Sequence, residues 1–191
     1  MTVLPFAGFA QKLPADCSKA AAPKQPLEVS VIGVKFTPKS VRLRTGNDVT
    51  QGEGKSAQEF DGYRLSISSD VDDFSPPLET DISMLVKKGQ SLEGKVFRQL
   101  AIKDIGKQPL VTAGLPEVQG WSMKNRPTGV SISHVEYLAS MRLEFGKREG
   151  NTISGTIYLC VPKGQKSVFE KSPKKEDSYA VGTFQASIVQ N

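Results

Sequence analysis

The sequence has few of the residues that metal centres and nucleophilic enzymes use. Its 191 residues include one histidine, two cysteines and one tryptophan. A multi-histidine metal centre is therefore excluded, and two cysteines alone cannot build a structural zinc site. A Ser-His-Asp or Cys-His site would have to use His134, near Glu136, but no nucleophile motif accompanies it. We predict no catalytic residue, while an enzyme that uses carboxylates alone stays open as an alternative.

Long apolar runs are also missing. No stretch of roughly 18 apolar residues occurs, which excludes a membrane-spanning helix. The first residues lack a cationic segment and contain Pro5, so a signal peptide is not evident. Asp16 stands directly before Cys17, where a lipoprotein signal needs a small residue, and we do not predict lipidation.

The two cysteines, Cys17 and Cys160, permit one disulfide. Two unpaired thiols are the alternative that this count leaves open. A disulfide would favour an extracytoplasmic location, periplasmic or secreted.

Glycine and proline are plentiful, at 17 and 12 residues, and the apolar residues occur in short groups between them. This pattern is typical of short strands joined by turns. We predict an all-β antiparallel sandwich, of jelly-roll or immunoglobulin-like topology, with room for one short helix. Residues 1–26, rich in Ala, Pro and Lys, form an N-terminal tether in this prediction, and residues 27–191 form a single domain.

Several strands can be placed by their alternation. Apolar residues change phase at Gly33, which indicates a strand with a bulge. Residues 78–88 fit either a strand or a short helix, and we expect a strand. The clearest signal is a hairpin over 135–159 with a turn at 146–151. One further strand has an apolar face and a polar face: Tyr63, Leu65 and Ile67 share the first, and Arg64, Ser66 and Ser68 share the second. The inner side of a last strand carries Ala180, Gly182, Phe184, Ala186 and Ile188.

Two segments in the last quarter of the chain resemble strands of known proteins in their general sequence pattern. The strings TISGTIYLCVP and SYAVGTFQASI are similar to the closing strands of exported bacterial β-sandwich domains. This resemblance implies a fold and an exported location but no activity, because one fold serves many functions.

Trp121 lies in a turn-rich segment with three polar residues. Its indole could stack on a sugar ring, and Lys124, Asn125 and Arg126 could donate hydrogen bonds to the same ligand. The alternative is that Trp121 covers the edge of the core, since large aromatic side chains are mostly buried.

An acidic group is the candidate for metal binding. Asp70, Asp72 and Asp73 could supply oxygen ligands to Ca²⁺, which is the one cofactor considered. The spacing and turn glycine of an EF-hand loop are missing, so a solvated acidic turn is the alternative.

A lysine-rich loop precedes the last strand, in a chain of net charge +5. Its ammonium groups could attract an anionic polymer, although Glu170, Glu176 and Asp177 partly cancel them. A solubilising loop is the alternative. The predicted polyanion-binding residues are Lys163, Lys166, Lys171, Lys174 and Lys175.

These observations predict a noncatalytic extracytoplasmic binding or accessory module, for a glycan or another cell-surface polymer. The alternative is a structural or adhesive protein that acts through protein-protein contacts. No motif indicates sequence-specific recognition of nucleic acid.

Overall fold

The computed structural model describes residues 13–14, 16–46, 48–51, 57–71, 76–99, 118–133, 139–164 and 176–190. These residues form twelve strands and one short 3₁₀-helix, Arg126–Thr128. The strands are β1 Glu28–Val31, β2 Val34–Phe36, β3 Ser40–Thr45, β4 Val49–Gln51, β5 Gln58–Ser68, β6 Leu78–Lys87, β7 Val96–Gln99, β8 Val118–Asn125, β9 Val130–Ser133, β10 Ser140–Glu149, β11 Thr152–Val161 and β12 Ser178–Val189.

All of these strands belong to one hydrogen-bonded sheet with the order β7-β10-β11-β12-β3-β5-β6-β8-β9. Strand β1 adds to β12 and to β2, and β4 adds to β5. The β12–β3 pair is parallel, so the sheet is mixed, and it curls as a half-barrel. The all-β prediction is confirmed. The predicted two-sheet sandwich is not confirmed, because β12 joins both parts into one continuous sheet.

The core fills the concave side of this sheet. Alternate residues of the long strands point into it, as the pleat of a strand requires. Phe145 packs edge-to-face against Phe97 and against Phe184, with ring centroids 6.0 Å apart in both pairs. Leu43, Leu65, Ile82, Met123, Leu143, Ile157 and Ala180 are among the buried residues of the same cluster.

Two local predictions need correction. The change of phase near Gly33 marks a hairpin between β1 and β2, not a bulged strand. Ile32 and Gly33 both have positive φ, 49° and 78°, which a two-residue hairpin turn uses. In the second hairpin the strands continue beyond residue 146, because a register shift between Phe145 and Arg148 absorbs Gly146 and Lys147. The segment 78–87 is a strand, as predicted.

One edge of strand β12 pairs first with β1 and then with β3, and Gly182 lies between the two paired stretches. Residues 179–181 pair with β1, and residues 187–189 pair with β3. Between them the Thr183 amide donates to the Gln25 carbonyl at 2.7 Å. Gly182 has φ of 129°, and a Cβ there would lie 2.6 Å from the Pro26 carbonyl oxygen. Only glycine therefore lets the chain before β1 approach β12 so closely.

The residues before β1 also contact the sheet through the cysteines. Cys17 and Cys160 lie at disulfide distance, with Cα atoms 6.0 Å apart, and both are buried. The Cys17 amide donates to Ser140 Oγ at 2.7 Å, and Ser140 is the cross-strand partner of Cys160. Cys160 points away from the face of Leu159, so the segment around Cys17 covers the convex side of β10 and β11.

We expect Gly182→Ala to lower the free energy of unfolding by about 3 kcal/mol, because the methyl group adds both a backbone clash and dihedral strain. Gly150→Ala is the matched control, since Gly150 has φ of 60° but no atom within 4 Å of an added Cβ. The control should lose only about 1 kcal/mol from the positive φ. Urea unfolding measures both losses, and equal losses would contradict the close approach at Gly182.

The double variant Cys17→Ser/Cys160→Ser should unfold more easily. The cross-link joins residues 143 positions apart, and the chain-entropy argument gives a loss of roughly 4–5 kcal/mol for so long a loop. Urea unfolding of the variant and of the oxidised wild type, each with and without reductant, measures the effect. Reductant should destabilise the wild type alone. An oxidised wild type no more stable than the variant would show that the disulfide does not stabilise the fold.

Candidate functional site

A cavity of about 410 Å³ opens at one end of the half-barrel. It lies where β3, β11 and β12 meet, next to Ser187, which pairs with both Thr152 and Arg42. This volume falls within the range of small-ligand sites, roughly 300–1,000 Å³. The lining residues are Leu43, Thr45, Tyr63, Gly89, Gln90, Ser91, Leu92, Glu93, Arg148, Ile153 and Ile188.

The loop after β6 forms one wall of the cavity and is held in place by the core. Leu92 inserts into the hydrophobic cluster. The Gly94 amide donates to the Phe145 carbonyl, and the Phe145 amide donates to the Lys95 carbonyl, both at 2.9 Å. Because these contacts fix the loop to β10, the wall is formed before any ligand arrives.

The floor of the cavity is apolar and its rim is polar. Leu43 and Ile153 are buried at the floor. At the rim, Glu93 Oε1 accepts a hydrogen bond from the Arg148 amide at 2.6 Å, and Arg148 Nε donates to the Gly150 carbonyl at 3.0 Å. The Glu93 carboxylate therefore lies against the backbone of Arg148, and the Arg148 guanidinium lies against the Gly150 carbonyl.

Tyr63 links the floor to the rim. Burial raises the pKa of its phenol, the negative charge of Asp61 adds to the rise, and the positive charge of Arg148 opposes it. The phenol therefore stays protonated at neutral pH and can donate a hydrogen bond. Its ring adds an apolar surface beside the same hydrogen-bonding groups.

A second polar cluster lies on the opposite, convex face of β5, β6 and β8. Arg64 donates to both oxygens of Asp81, at 3.2 and 2.7 Å, and Ser66 Oγ donates to Asp81 Oδ1 at 2.7 Å. Lys124 Nζ lies 3.3 Å from both Glu79 Oε2 and Asp81 Oδ2. Two carboxylates thus hold cations from neighbouring strands.

Asp81 is ionised because of these partners. Burial alone would raise the pKa of its carboxyl group. Hydrogen bonds from Arg64 and Ser66, together with the positive charges of Arg64 and Lys124, outweigh burial and lower that pKa below its ordinary value.

The residues predicted around Trp121 do not converge on one ligand. Trp121 is 3% exposed and packs in the core. This burial agrees with the alternative in which Trp121 serves packing and does not stack on a sugar. Asn125 is also buried, and its Oδ1 accepts from the Thr128 amide at 3.4 Å, capping the 3₁₀-helix. Lys124 and Arg126 belong to the convex-face cluster, where Arg126 donates to Glu79 Oε2 at 3.1 Å.

Most of the remaining predicted residues lie outside the described residues: His134, Glu136, Asp72, Asp73, Lys166, Lys171, Lys174 and Lys175. Asp70 Oδ1 accepts from the Val71 amide at 2.7 Å. The Lys163 amide donates to Asp177 Oδ1 at 2.6 Å. Within the described ranges, no group of three or more His, Cys, Asp or Glu side chains is placed to hold a metal ion. The calcium and lysine-loop predictions therefore stay predictions.

The sequence did not predict the cavity because its lining residues come from six separate elements: β3, β5, the loop after β6, β10, β11 and β12. Alternation marked Tyr63 as an inward residue of its strand, but its pairing with Thr45 follows from the β3–β5 register. Arg148 fell in a predicted turn. No local pattern connects these residues with the loop at 89–93.

In the part of the chain that is described, no helix has the length and apolar character needed to cross a membrane. The chain matches no family model, no curated protein and no solved structure.

Acidification should remove the stabilisation that Asp81 supplies. Its pKa is lower in the folded state, so this contribution is complete above the ordinary value of 3.8 and disappears as pH falls through the folded value. At pH 6 we expect Asp81→Asn to cost about 2 kcal/mol, because charged hydrogen bonds are lost. Urea unfolding between pH 6 and pH 2.5 should show that the difference in free energy of unfolding between Asp81→Asn and the wild type becomes smaller below pH 4. Asp48→Asn, which removes an exposed carboxylate, is the control. If the difference in free energy of unfolding between Asp81→Asn and the wild type did not change with pH, the lowered pKa of Asp81 would be contradicted.

Proposed function

We propose that the protein is a noncatalytic extracytoplasmic binding module, and that it holds a short saccharide segment of a glycan in the cavity at the end of the half-barrel. The single observation that carries this proposal is the cavity itself, with an apolar floor and a rim that carries hydrogen-bonding side chains. A preformed concave site of this size is the usual place for a small ligand.

The chemistry of the lining favours a polyhydroxylated ligand. Each sugar hydroxyl group both donates and accepts hydrogen bonds, so it needs partners of both kinds. Glu93 supplies an acceptor, Arg148 supplies donors, and Gln90 and Ser91 supply groups that do both. The Tyr63 ring offers an apolar surface to the C–H groups of a sugar.

The rim also argues against a ligand with one strong charge. Because Glu93 and Arg148 both line the cavity, an anionic ligand would meet the Glu93 carboxylate, and a cationic ligand would meet the Arg148 guanidinium. A neutral ligand with many hydroxyl groups can use both without repulsion. This is the reason that we place the saccharide here and not an isolated anion.

The extracytoplasmic part of the proposal is supported by the cysteine pair. Buried cysteines at disulfide distance are compatible with an oxidising compartment. Cell-surface and secreted glycans are encountered in such compartments.

Thermal unfolding against a panel of oligosaccharides tests the proposal. A saccharide at 100 times its Kd stabilises the native state by about 2.7 kcal/mol, and Tm should rise by roughly 5–10 °C. Arg148→Gln and Tyr63→Phe should each weaken binding of that saccharide about tenfold, because each removes a hydrogen-bond donor that lines the cavity. Ca²⁺ and chelator are included as separate additions, and the recovered sugar is analysed for cleavage.

Arg98→Gln on β7 and Tyr158→Phe on β11 are the matched controls, because neither side chain lines the cavity. Both should bind the saccharide as the wild type does. If no saccharide raises Tm and sedimentation shows concentration-dependent association, the protein is an adhesive or structural module instead. A saccharide that binds all four variants equally would place its site elsewhere.

A further inference from the structure

The cavity lies inside a closed ring of strands. Seven strands follow one another in the sheet, in the order β7-β10-β11-β12-β3-β5-β6. The chain joins the first and last of these directly, because β6 ends at Lys87 and β7 begins at Val96. The loop at 88–95 therefore crosses from one end of this run of strands to the other. Since β12 lies in the middle of the run, the loop closes the wall of the cavity on the side opposite β12.

Backbone hydrogen bonds join neighbouring elements around this end of the ring. The loop is held at both of its ends: the Lys88 amide donates to the carbonyl of Glu59 in β5, and the Gly94 amide donates to the Phe145 carbonyl in β10, both at 2.9 Å. Two more such bonds run from the amides of Gly46 and Ile188 to the carbonyls of Gly62 and Asn151, at 2.6 and 2.7 Å. The described residues therefore form a continuous wall.

The inner end of the ring is closed by the core. Leu43, Leu92 and Ile153 line the cavity and belong to the buried hydrophobic cluster. The exposed residues of the lining lie at the other end, and they are Gln90, Ser91, Glu93 and Arg148. A continuous wall and a buried floor leave the cavity with one opening, at the end of the half-barrel.

We infer that the cavity receives the end of a saccharide chain and not its interior. This inference rests on the proposed function, because it concerns the same cavity and the same class of ligand. The interior of a chain continues in two directions, so its binding site must be open on two sides. The cavity is open on one side. Only a chain end, or the tip of a branch, can fill it while the rest of the chain stays in solvent.

The lining has hydrogen-bond donors that suit a terminal sugar unit. A terminal unit carries a free hydroxyl group where an interior unit is linked to its neighbour. The Tyr63 phenol can donate to that group beside the apolar floor. At the opening, Gln90 Oε1 accepts from Lys95 Nζ at 2.7 Å, which leaves the Gln90 amide group as a donor for the unit that follows. Donors therefore stand at both depths that a chain end would occupy.

Isothermal titration calorimetry with linear chains of different length is the direct test. Malto-, isomalto-, xylo- and manno-oligosaccharides serve as probes, each as a hexamer and as the longest soluble chain of the same linkage. Any further oligosaccharide that raises Tm is titrated in the same two lengths. A chain has the same number of ends whatever its length, so Kd per chain should agree within about twofold between the hexamer and the long chain. An interior site would occur many times in each long chain, and Kd per chain would then fall in proportion to length.

The two lengths separate failure of this inference from failure of the proposed function. A constant Kd per chain, with one protein molecule bound to each chain, supports the inference. A Kd that falls in proportion to length, with several protein molecules on each long chain, overturns the inference and leaves the proposed function standing. If no probe binds and no oligosaccharide raises Tm, the proposed function fails and the inference fails with it.

Leu92→Ala tests the closed wall, because Leu92 anchors the loop to the core. It should weaken binding of the hexamer at least fivefold, and the long chain should then bind more tightly per chain than the hexamer. Leu27→Ala is the matched control: Leu27 is buried to the same extent, 7% exposed, and does not line the cavity. The control should bind within twofold of the wild type.

Leu92→Val and Leu27→Val replace the alanine variants if urea unfolding shows that either of those does not fold. Each valine variant keeps part of the buried side chain, so the expected loss for Leu92→Val is about twofold. A Leu92 variant that binds the hexamer as tightly as its Leu27 control would show that the loop does not close the site, and this result would overturn the inference.

Discussion

The backbone hydrogen bonds of β12 hold the two parts of the sheet together. One edge of this strand pairs with β11 over ten residues, Thr152–Val161. The other edge pairs first with β1 and then with β3. Without β12, the described strands β7, β10 and β11 would have no hydrogen bonds to β3, β5, β6, β8 and β9. The curl of the sheet and the shared core both depend on this one strand.

The cavity is a consequence of how β12 changes neighbours. Near its C-terminal end β12 lies between β11 and β3, and the inward side chains of these strands, with Tyr63 of β5, meet the loop after β6. Core residues below and a fixed loop at the side keep this space open. The elements that stabilise the fold therefore also shape the candidate site, which is how a rigid scaffold positions binding groups.

The sequence predicts what depends on neighbouring residues. Alternation in β5 and β12 identified the inward faces, including Gly182 and Ile188, and placed Arg64 and Ser66 on the opposite face. It could not predict the parallel β12–β3 pairing, because residues 42–44 and 187–189 are far apart in the chain. The cavity depends on that pairing. The hairpin at Ile32 was missed because an isoleucine with positive φ is uncommon and the alternation resembles a bulge.

The recessed carboxylates of the convex-face cluster also orient the cations above them. Replacing a buried ion pair with packed apolar residues is often neutral or stabilising, so a fold of this kind does not require Asp81 and Glu79 under a layer of arginines. What the ion pairs do provide is orientation, since a guanidinium group held by two carboxylate oxygens presents its remaining donors in one direction. The ion pairs of the convex-face cluster therefore fix where Arg64 and Arg126 stand on the outer surface of the sheet.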